Sequence, residues 1–304
     1  MSSVERQHEH EPGSSPAAVM RGIGYVLLGC MLITFSDAIT KWLGDSYPAG
    51  QMLCARGSFF LLMVAVVILS TRGRRGLQTT NVRAHLLRGV LATGSAFLFV
   101  TSLKYLPLAD TITIAFAAPL ILTAMAPYFL AEHVGWRRWT AILVGFAGVI
   151  VMMKPDSDAV RWIALLPVGA AVFEAVRDVL TRRMTLTESS LTMVTLTTAV
   201  IVVLSVATSV TGWPPMGWGD AGLLAVGGAL FGGAHWLLAE SLRLAQAVVV
   251  APFRYSPVVW ALLLGYILWG DVPDSAMLTG TALVVASGLY IFHRETTLRR
   301  RAAR

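Results

Sequence analysis

The chain has 304 residues, 56% of them hydrophobic and 13% charged, with a formal net charge of +7 and a mean hydropathy of +0.67. A soluble domain carries about 25% charged residues, so a water-soluble enzyme or binding module is excluded. The apolar residues recur in blocks of roughly 20, the length that crosses a bilayer. This points to an all-α, polytopic membrane protein and away from a barrel of alternating strands of about ten residues.

Residues 1–20, MSSVERQHEHEPGSSPAAVM, are polar and rich in Ser and Pro. They lack the basic, apolar and cleavage segments of a signal peptide and are expected to form a disordered cytoplasmic tail. His8 and His10 flank Glu9 there, an arrangement that in a mobile tail is solvated rather than metal-bound. Ten apolar spans follow, near 22–43, 50–70, 84–104, 108–131, 137–153, 161–183, 190–210, 220–241, 247–269 and 276–293. Connections such as GDSYPAG, TGWPPMGWGD and GDVPDS carry turn residues, and Trp213 and Trp218 in the second suit an interfacial belt. With both termini inside, 17 of the 24 Lys and Arg residues, Arg88, Arg137 and Arg138 among them, fall on inner segments. Only Lys41, Lys104, Lys154 and Arg161 fall outside, as the positive-inside rule requires of a cytoplasmic-membrane protein. Cys30 and Cys54 lie within apolar blocks and form neither a metal site nor a disulfide framework.

The chain reads as a duplication. The pattern D-x-x-T-basic occurs as Asp37, Thr40 and Lys41 and again as Asp178, Thr181 and Arg182, displaced by 141 positions. Ser102 matches Ser241, Pro119 matches Pro257 and Gly148 matches Gly288, at nearly the same displacement. The units expected are a first five-helix repeat at 21–156, a second at 157–293 and a basic cytoplasmic tail at 294–304. Each repeat has an odd number of spans, so the two enter the membrane from opposite sides. Inverted repeats characterise secondary transporters that bind substrate near the bilayer midplane.

The stretches FSDAITKWLGDSYPAGQMLCAR, SLKYLPLADTITIAFAAPL, AEHVGWRRWTAILVGFAGVIVM and APFRYSPVVWALLLGYILWGDVPD resemble the drug/metabolite transporter superfamily, in its bacterial EamA-type branch. The resemblance covers residues 20–293. It implies ten helices in two inverted repeats around a central cavity, and carriage of metabolites such as amino acids, nucleosides or vitamins. The segment FRYSPVVWALLLGYILWGDVPD is similar to the sub-branch of S-adenosylmethionine and riboflavin uptake proteins. The acidic turn of the first half is Glu132-His133 where the second half has Asp271, and this turn reads as structural.

Charges inside a span cost at least ~2.5–3.5 kcal/mol and so face a partner or a wet cavity. Arg254 is permanently charged, has Tyr255 beside it and lies between Pro252 and Pro257. It either forks onto an anionic group of a substrate or snorkels to the headgroups. Arg56 either contacts substrate or pairs with Asp37. Asp37 and Lys41 are spaced i, i+4 and can pair on one helix face; Glu174, Asp178 and Arg182 repeat that stripe, with Arg177 three residues from Glu174. Glu174 and Asp37 are candidates for proton coupling or for internal ion pairs. His235 and Trp236 follow the glycines of GGALFGGAHW, which permit close helix approach; both are candidates to line the cavity. Glu240 can pair with Arg243. Phe35, Phe97, Phe116, Tyr255 and Trp260 can stack on a planar ligand or face lipid.

A secondary transporter of a small polar, zwitterionic or anionic metabolite, working by alternating access as a monomer or homodimer, accounts for these features. A membrane-embedded enzyme would need a nucleophile–base set or metal cluster, and neither H-E-x-x-H nor G-x-S-x-G occurs, so no catalytic residue, metal or cofactor is expected. Loops this short leave no sensor domain for a non-transporting receptor or subunit, and no nucleotide-binding loop is present. A channel fits the interior charges less well than a gated carrier. No nucleic-acid partner is expected.

Overall fold

The computed structural model describes residues 16–71, 79, 81–129, 134–153, 158–184, 188–245 and 247–302. The polar tail with His8 and His10, the arginines at 72, 74 and 75, the Glu132-His133 turn and the side chain of Arg182 lie outside them. Regular structure among the described residues is helical: α1 (Pro16–Leu43), α2 (Ala49–Thr71), α3 (Val82–Tyr105), α4 (Leu108–Ala115), α5 (Ala117–Phe129), α6 (Trp136–Met152), α7 (Asp158–Met184), α8 (Ser190–Val206), α9 (Trp218–Leu244), α10 (Ala247–Val250), α11 (Pro257–Trp269) and α12 (Ser275–Ala302). Short 3-10 turns extend α8 through Ala207–Thr211 and join α10 to α11 through Ala251–Tyr255.

Side-chain oxygens set several helix starts by accepting backbone N–H groups that have no intrahelical partner. Asn81 accepts from Ala84 at 3.1 Å before α3, Ser189 from Thr192 at 3.1 Å before α8, and Asp274 from Met277 at 2.8 Å before α12. Gly270 closes α11 with φ of 70°, the left-handed conformation that glycine adopts without steric cost.

Among the described residues, seven segments are long and apolar enough to cross a membrane: α1, α2 through Val66, α3, α4 with α5, α8 with its 3-10 extension, α9, and α12 through Arg294. The remaining three predicted spans are helical but differ for physical reasons. Helix α6 has 17 residues. Helix α7 carries Glu174, Arg177, Asp178, Arg182 and Arg183. The α10–α11 segment is interrupted.

That interruption has a counterpart. Proline cannot donate to the carbonyl four residues back. Pro119 therefore leaves the Ala115 carbonyl without its helical donor, and the chain turns at Phe116 between α4 and α5. Pro252 and Pro257 do the same over Ala251–Tyr255. The fourth span was expected to be continuous, and its break is a finding of the structure.

Packing pairs α1 with α9, α3 with α7 and α8, α2 with α8 and α9, α4 with α11, and α6 with α12. Close approach rests on small residues. A Cβ on Gly148 would lie 2.8 Å from the Gly280 carbonyl oxygen, and one on Gly280 would lie 2.6 Å from that of Gly148, so α6 and α12 touch backbone to backbone. A Cβ on Gly228 of α9 would lie 2.7 Å from the Arg56 carbonyl oxygen of α2. The largest apolar cluster gathers Leu103, Leu108, Ile114, Ala171, Ala261 and Val284 from five helices.

Candidate functional site

The two helix breaks meet. The rings of Phe116 and Tyr255 lie 5.0 Å apart at 47°, so the interrupted segments touch where their backbones leave the α-helical path. Tyr255 is half-buried, and its hydroxyl reaches into the space left by Gly288 of α12. Arg254, one residue earlier on the same turn, is exposed. Helix α1 backs this turn through Val26 and Cys30, which cluster with Val250 and Phe253.

Charged groups from several helices converge around this point. Arg56 of α2 pairs with Asp37 of α1 at 3.4 Å, both side chains being largely buried. Arg56 also donates to Thr40 Oγ1 at 3.4 Å and Ser36 Oγ at 3.5 Å, while the Ser36 hydroxyl donates to the Gly227 carbonyl of α9 at 2.9 Å. The guanidinium lies over the Phe231 ring at 4.9 Å, within cation–π range. Phe231 in turn contacts His235, with ring centroids 4.3 Å apart. His235 Nδ1 lies 2.8 Å from the Phe231 carbonyl oxygen. A carbonyl only accepts, so Nδ1 carries a proton in this contact.

On α7, Arg177 bridges two carboxylates, at 2.8 Å to Glu174 and 2.8 Å to Asp178. Glu174 and Asp178 keep more than a third of their side-chain surface exposed. Glu174 lies within electrostatic reach of Asp37, and Arg56, Arg177 and Arg254 all lie within reach of His235. The structure thus brings Asp37, Arg56, Glu174, Arg177, Asp178, His235 and Arg254 into one charged neighbourhood beside the Phe116–Tyr255 contact.

Other sequence candidates are placed elsewhere. Lys41 does not pair with Asp37. Its ammonium donates to the carbonyls of Leu103 at 3.0 Å and Leu106 at 2.6 Å and lies 5.3 Å from the Trp269 ring centroid. The physical reason is that the end of α3 exposes carbonyls without helical donors, while Arg56 already holds the aspartate. Phe97 packs on the apolar cluster of Leu53, Val100 and Leu224. Trp236 is 62% exposed and lies 6.4 Å from the Tyr25 ring. Trp260 is half-buried, and its indole nitrogen is buried without a hydrogen-bond partner. Phe35 is 39% exposed. Glu240 pairs with Arg243 at 3.1 Å.

Several residues were not singled out by sequence reasoning. Arg88, counted there among inner-surface charges, is buried in α3. It donates to Thr181 at 2.9 Å, to the Met193 carbonyl at 2.8 Å and to Thr197. Tyr47 donates to Asp220 at 2.6 Å. His85 lies 3.3 Å from Glu188. A recess beside the end of α11 is lined by Asp110, Asp271 and Asp274, and Asp271 Oδ2 is buried there without a hydrogen-bond partner.

Residues 20–154 match the model of the EamA-like transporter family. The chain is also 31% identical over 286 residues to a riboflavin transporter of Vibrio cholerae, covering 93% of this chain and 96% of that protein. The chain belongs to the EamA-like transporter family. An S-adenosylmethionine uptake transporter of Rickettsia bellii is 26% identical over 274 residues, 90% of this EamA-like chain and 94% of the relative. A crystal structure of a protein with 19% identity superposes with a TM-score of 0.62 over 92% of this chain and 98% of that one, a likeness of fold. The EamA-like protein is a multi-pass membrane protein and a metabolite transporter of the drug/metabolite transporter superfamily.

Proposed function

We propose that the protein is a ten-span carrier, built as two inverted five-helix repeats at 21–156 and 157–293, that moves a zwitterionic metabolite bearing a planar ring across a bacterial cytoplasmic membrane. Both termini lie in the cytoplasm. The repeat reading is supported by the helix pairs. Exchanging the first five segments with the second five turns the α1–α9 pair into the α7–α3 pair, turns α2–α9 into α8–α3, and returns α2–α8 and α6–α12 to themselves. The two breaks also correspond, since Phe116 and Tyr255 are separated by the displacement that relates Ser102 to Ser241. Alternating access follows from two inverted halves exchanging conformations, and it needs no covalent chemistry.

The substrate class rests on one observation, the arrangement of charge around the paired breaks. Arg177 is one cation shared by two carboxylates, so the Glu174–Asp178 stretch of α7 carries one surplus negative charge suited to an ammonium or sulfonium group. Arg254 is exposed beside Tyr255 and supplies paired donors for a carboxylate. Phe116 and Tyr255 offer aromatic faces to a planar ring. The acidic recess of Asp110, Asp271 and Asp274 attracts cations to the end of α11. S-adenosylmethionine, which the Rickettsia bellii relative is named for, has this combination of charges. Riboflavin, which the Vibrio cholerae relative is named for, has the planar ring without them.

Purified protein in detergent should melt at higher temperature with S-adenosylmethionine, by an amount that grows with ligand concentration. Arg254→Ala should weaken that binding by roughly 10- to 100-fold, the range for losing charge-assisted hydrogen bonds. Stabilisation by riboflavin alone would overturn the zwitterion assignment. A shift with neither compound would remove both substrate classes.

A further inference from the structure

The repeats carry a second correspondence, away from the charged neighbourhood. Tyr47 lies ten residues after Asp37, and Glu188 lies ten residues after Asp178, the two aspartates that mark the duplication. Each sits in the connection between the first and second span of its half, and each reaches the first turn of a helix in the other half. The Tyr47 hydroxyl donates at 2.6 Å to Asp220, the third residue of α9. Glu188 lies 3.3 Å from the imidazole of His85, the fourth residue of α3. Under exchange of the halves, α9 and α3 are the third spans of their respective repeats. The two contacts therefore occupy equivalent positions, one at each face of the membrane, as a hydrogen bond at Tyr47 and as a close approach without hydrogen-bond geometry at Glu188.

Both are built into their surroundings. Tyr47, Glu188 and His85 are all buried. At the Tyr47 end, the Gly217 N–H donates to the phenol oxygen at 3.4 Å, and Gln51 donates to the Pro214 carbonyl at 2.8 Å. At the Glu188 end, the Thr79 hydroxyl donates to the second carboxylate oxygen at 3.0 Å. The chemistry differs between the ends. The phenol comes from the connection and the carboxylate from the helix at one face, whereas at the other the connection supplies the carboxylate and the helix an imidazole. What the duplication shares is the position of a polar contact between halves.

We propose that Tyr47–Asp220 and Glu188–His85 are the outer and inner latches of the carrier, each holding its own face shut and releasing when the halves rock. This rests on the inverted-repeat, alternating-access reading above. A polar contact that is stable in net terms by only a small amount suits an element that must open and close in each cycle. Removing one latch should bias the population toward opening at that face.

The test uses full-length protein in nanodiscs, with Cys30→Ser and Cys54→Ser as background. Spin labels at Ser46→Cys and Gly219→Cys report the outer face, and labels at Arg83→Cys and Leu191→Cys report the inner face. All four positions are exposed, so both latches stay intact. Electron–electron distances should show two populations at each face. Tyr47→Phe should enrich the long distance at the outer face by roughly 10- to 100-fold, the change that loss of a hydrogen bond to a charged group gives. Glu188→Gln should enrich the long distance at the inner face instead. Asp220→Asn is the second outer variant should Tyr47→Phe fold poorly. Unchanged populations in variants of a wild type that samples two states would overturn the latches alone. A wild type with one distance at each face, with or without S-adenosylmethionine, would overturn the alternating-access reading and the latches with it.

Discussion

The hydroxyl of Tyr255 occupies the space where Gly288 has no side chain; a Cβ at position 288 would collide with it. Gly288 thereby sets where the ring of the broken span stands, and so where it meets Phe116.

Gly288→Ala should cost about 1–3 kcal/mol, the usual range for overpacking a close-packed contact, and should weaken ligand binding by moving the Tyr255 ring. Tyr255→Phe removes the nearest colliding atom and leaves the ring carbon Cζ, 2.7 Å from the added Cβ. The double variant Gly288→Ala/Tyr255→Phe should therefore recover part of the lost melting temperature. Strictly additive losses in a double-mutant cycle would show that the glycine serves another purpose.

Apolar spans were legible because a bilayer imposes their length and composition on the sequence directly. The charged candidates on α7 were legible for a related reason, since Glu174, Arg177 and Asp178 are neighbours on one helix and helix geometry brings them together. Lys41 failed that same logic. Its i, i+4 spacing from Asp37 predicts a pair, but Arg56 approaches from α2 and the end of α3 offers free carbonyls, both of which are tertiary facts. The break at Phe116 was missed although its cause, Pro119, is plain in the sequence; helices often bend at proline without turning. Tyr47 with Asp220 and His85 with Glu188 join residues more than a hundred positions apart. A hint existed in the equal spacing of Tyr47 and Glu188 from the duplicated aspartates.

The Asp37–Arg56 pair gives a prediction about buried charge. Removing one partner strands the other, which costs about 3–5 kcal/mol for a buried pair. Asp37→Asn and Arg56→Met should each lower the melting temperature sharply. The double variant Asp37→Asn/Arg56→Met leaves no stranded charge and should be more stable than Arg56→Met alone. A double variant as unstable as the sum of the two would show that Arg56 acts mainly through Phe231, Ser36 and Thr40.

Lys41 should behave as a brace between α1 and the end of α3. Lys41→Met keeps the aliphatic stem against Trp269 and removes both hydrogen bonds to the carbonyls of Leu103 and Leu106. The expected cost is about 1.5–3 kcal/mol, as for hydrogen bonds from a charged donor. Hydrogen exchange of the last turn of α3 should quicken in the variant. Unaltered exchange there would return Lys41 to a surface role.

The Tyr47–Asp220 bond also predicts a pH dependence at the membrane surface, outside the spans. Acceptance of the phenolic proton by Asp220 raises the Tyr47 pKa above the ordinary tyrosine value of 10.0. The protonated phenol is thus favoured in the folded protein. Its contribution is complete below the ordinary tyrosine range and is lost as pH climbs through the raised value, where the unfolded chain gives up its proton first. Wild type should therefore melt above Tyr47→Phe by a constant margin at neutral and mildly alkaline pH, and the margin should shrink once tyrosine ionises. Other alkaline groups titrate alike in both proteins and cancel in the comparison. A margin that stays constant, or widens, as pH rises through the tyrosine range would mean that the phenol is not the donor in this contact.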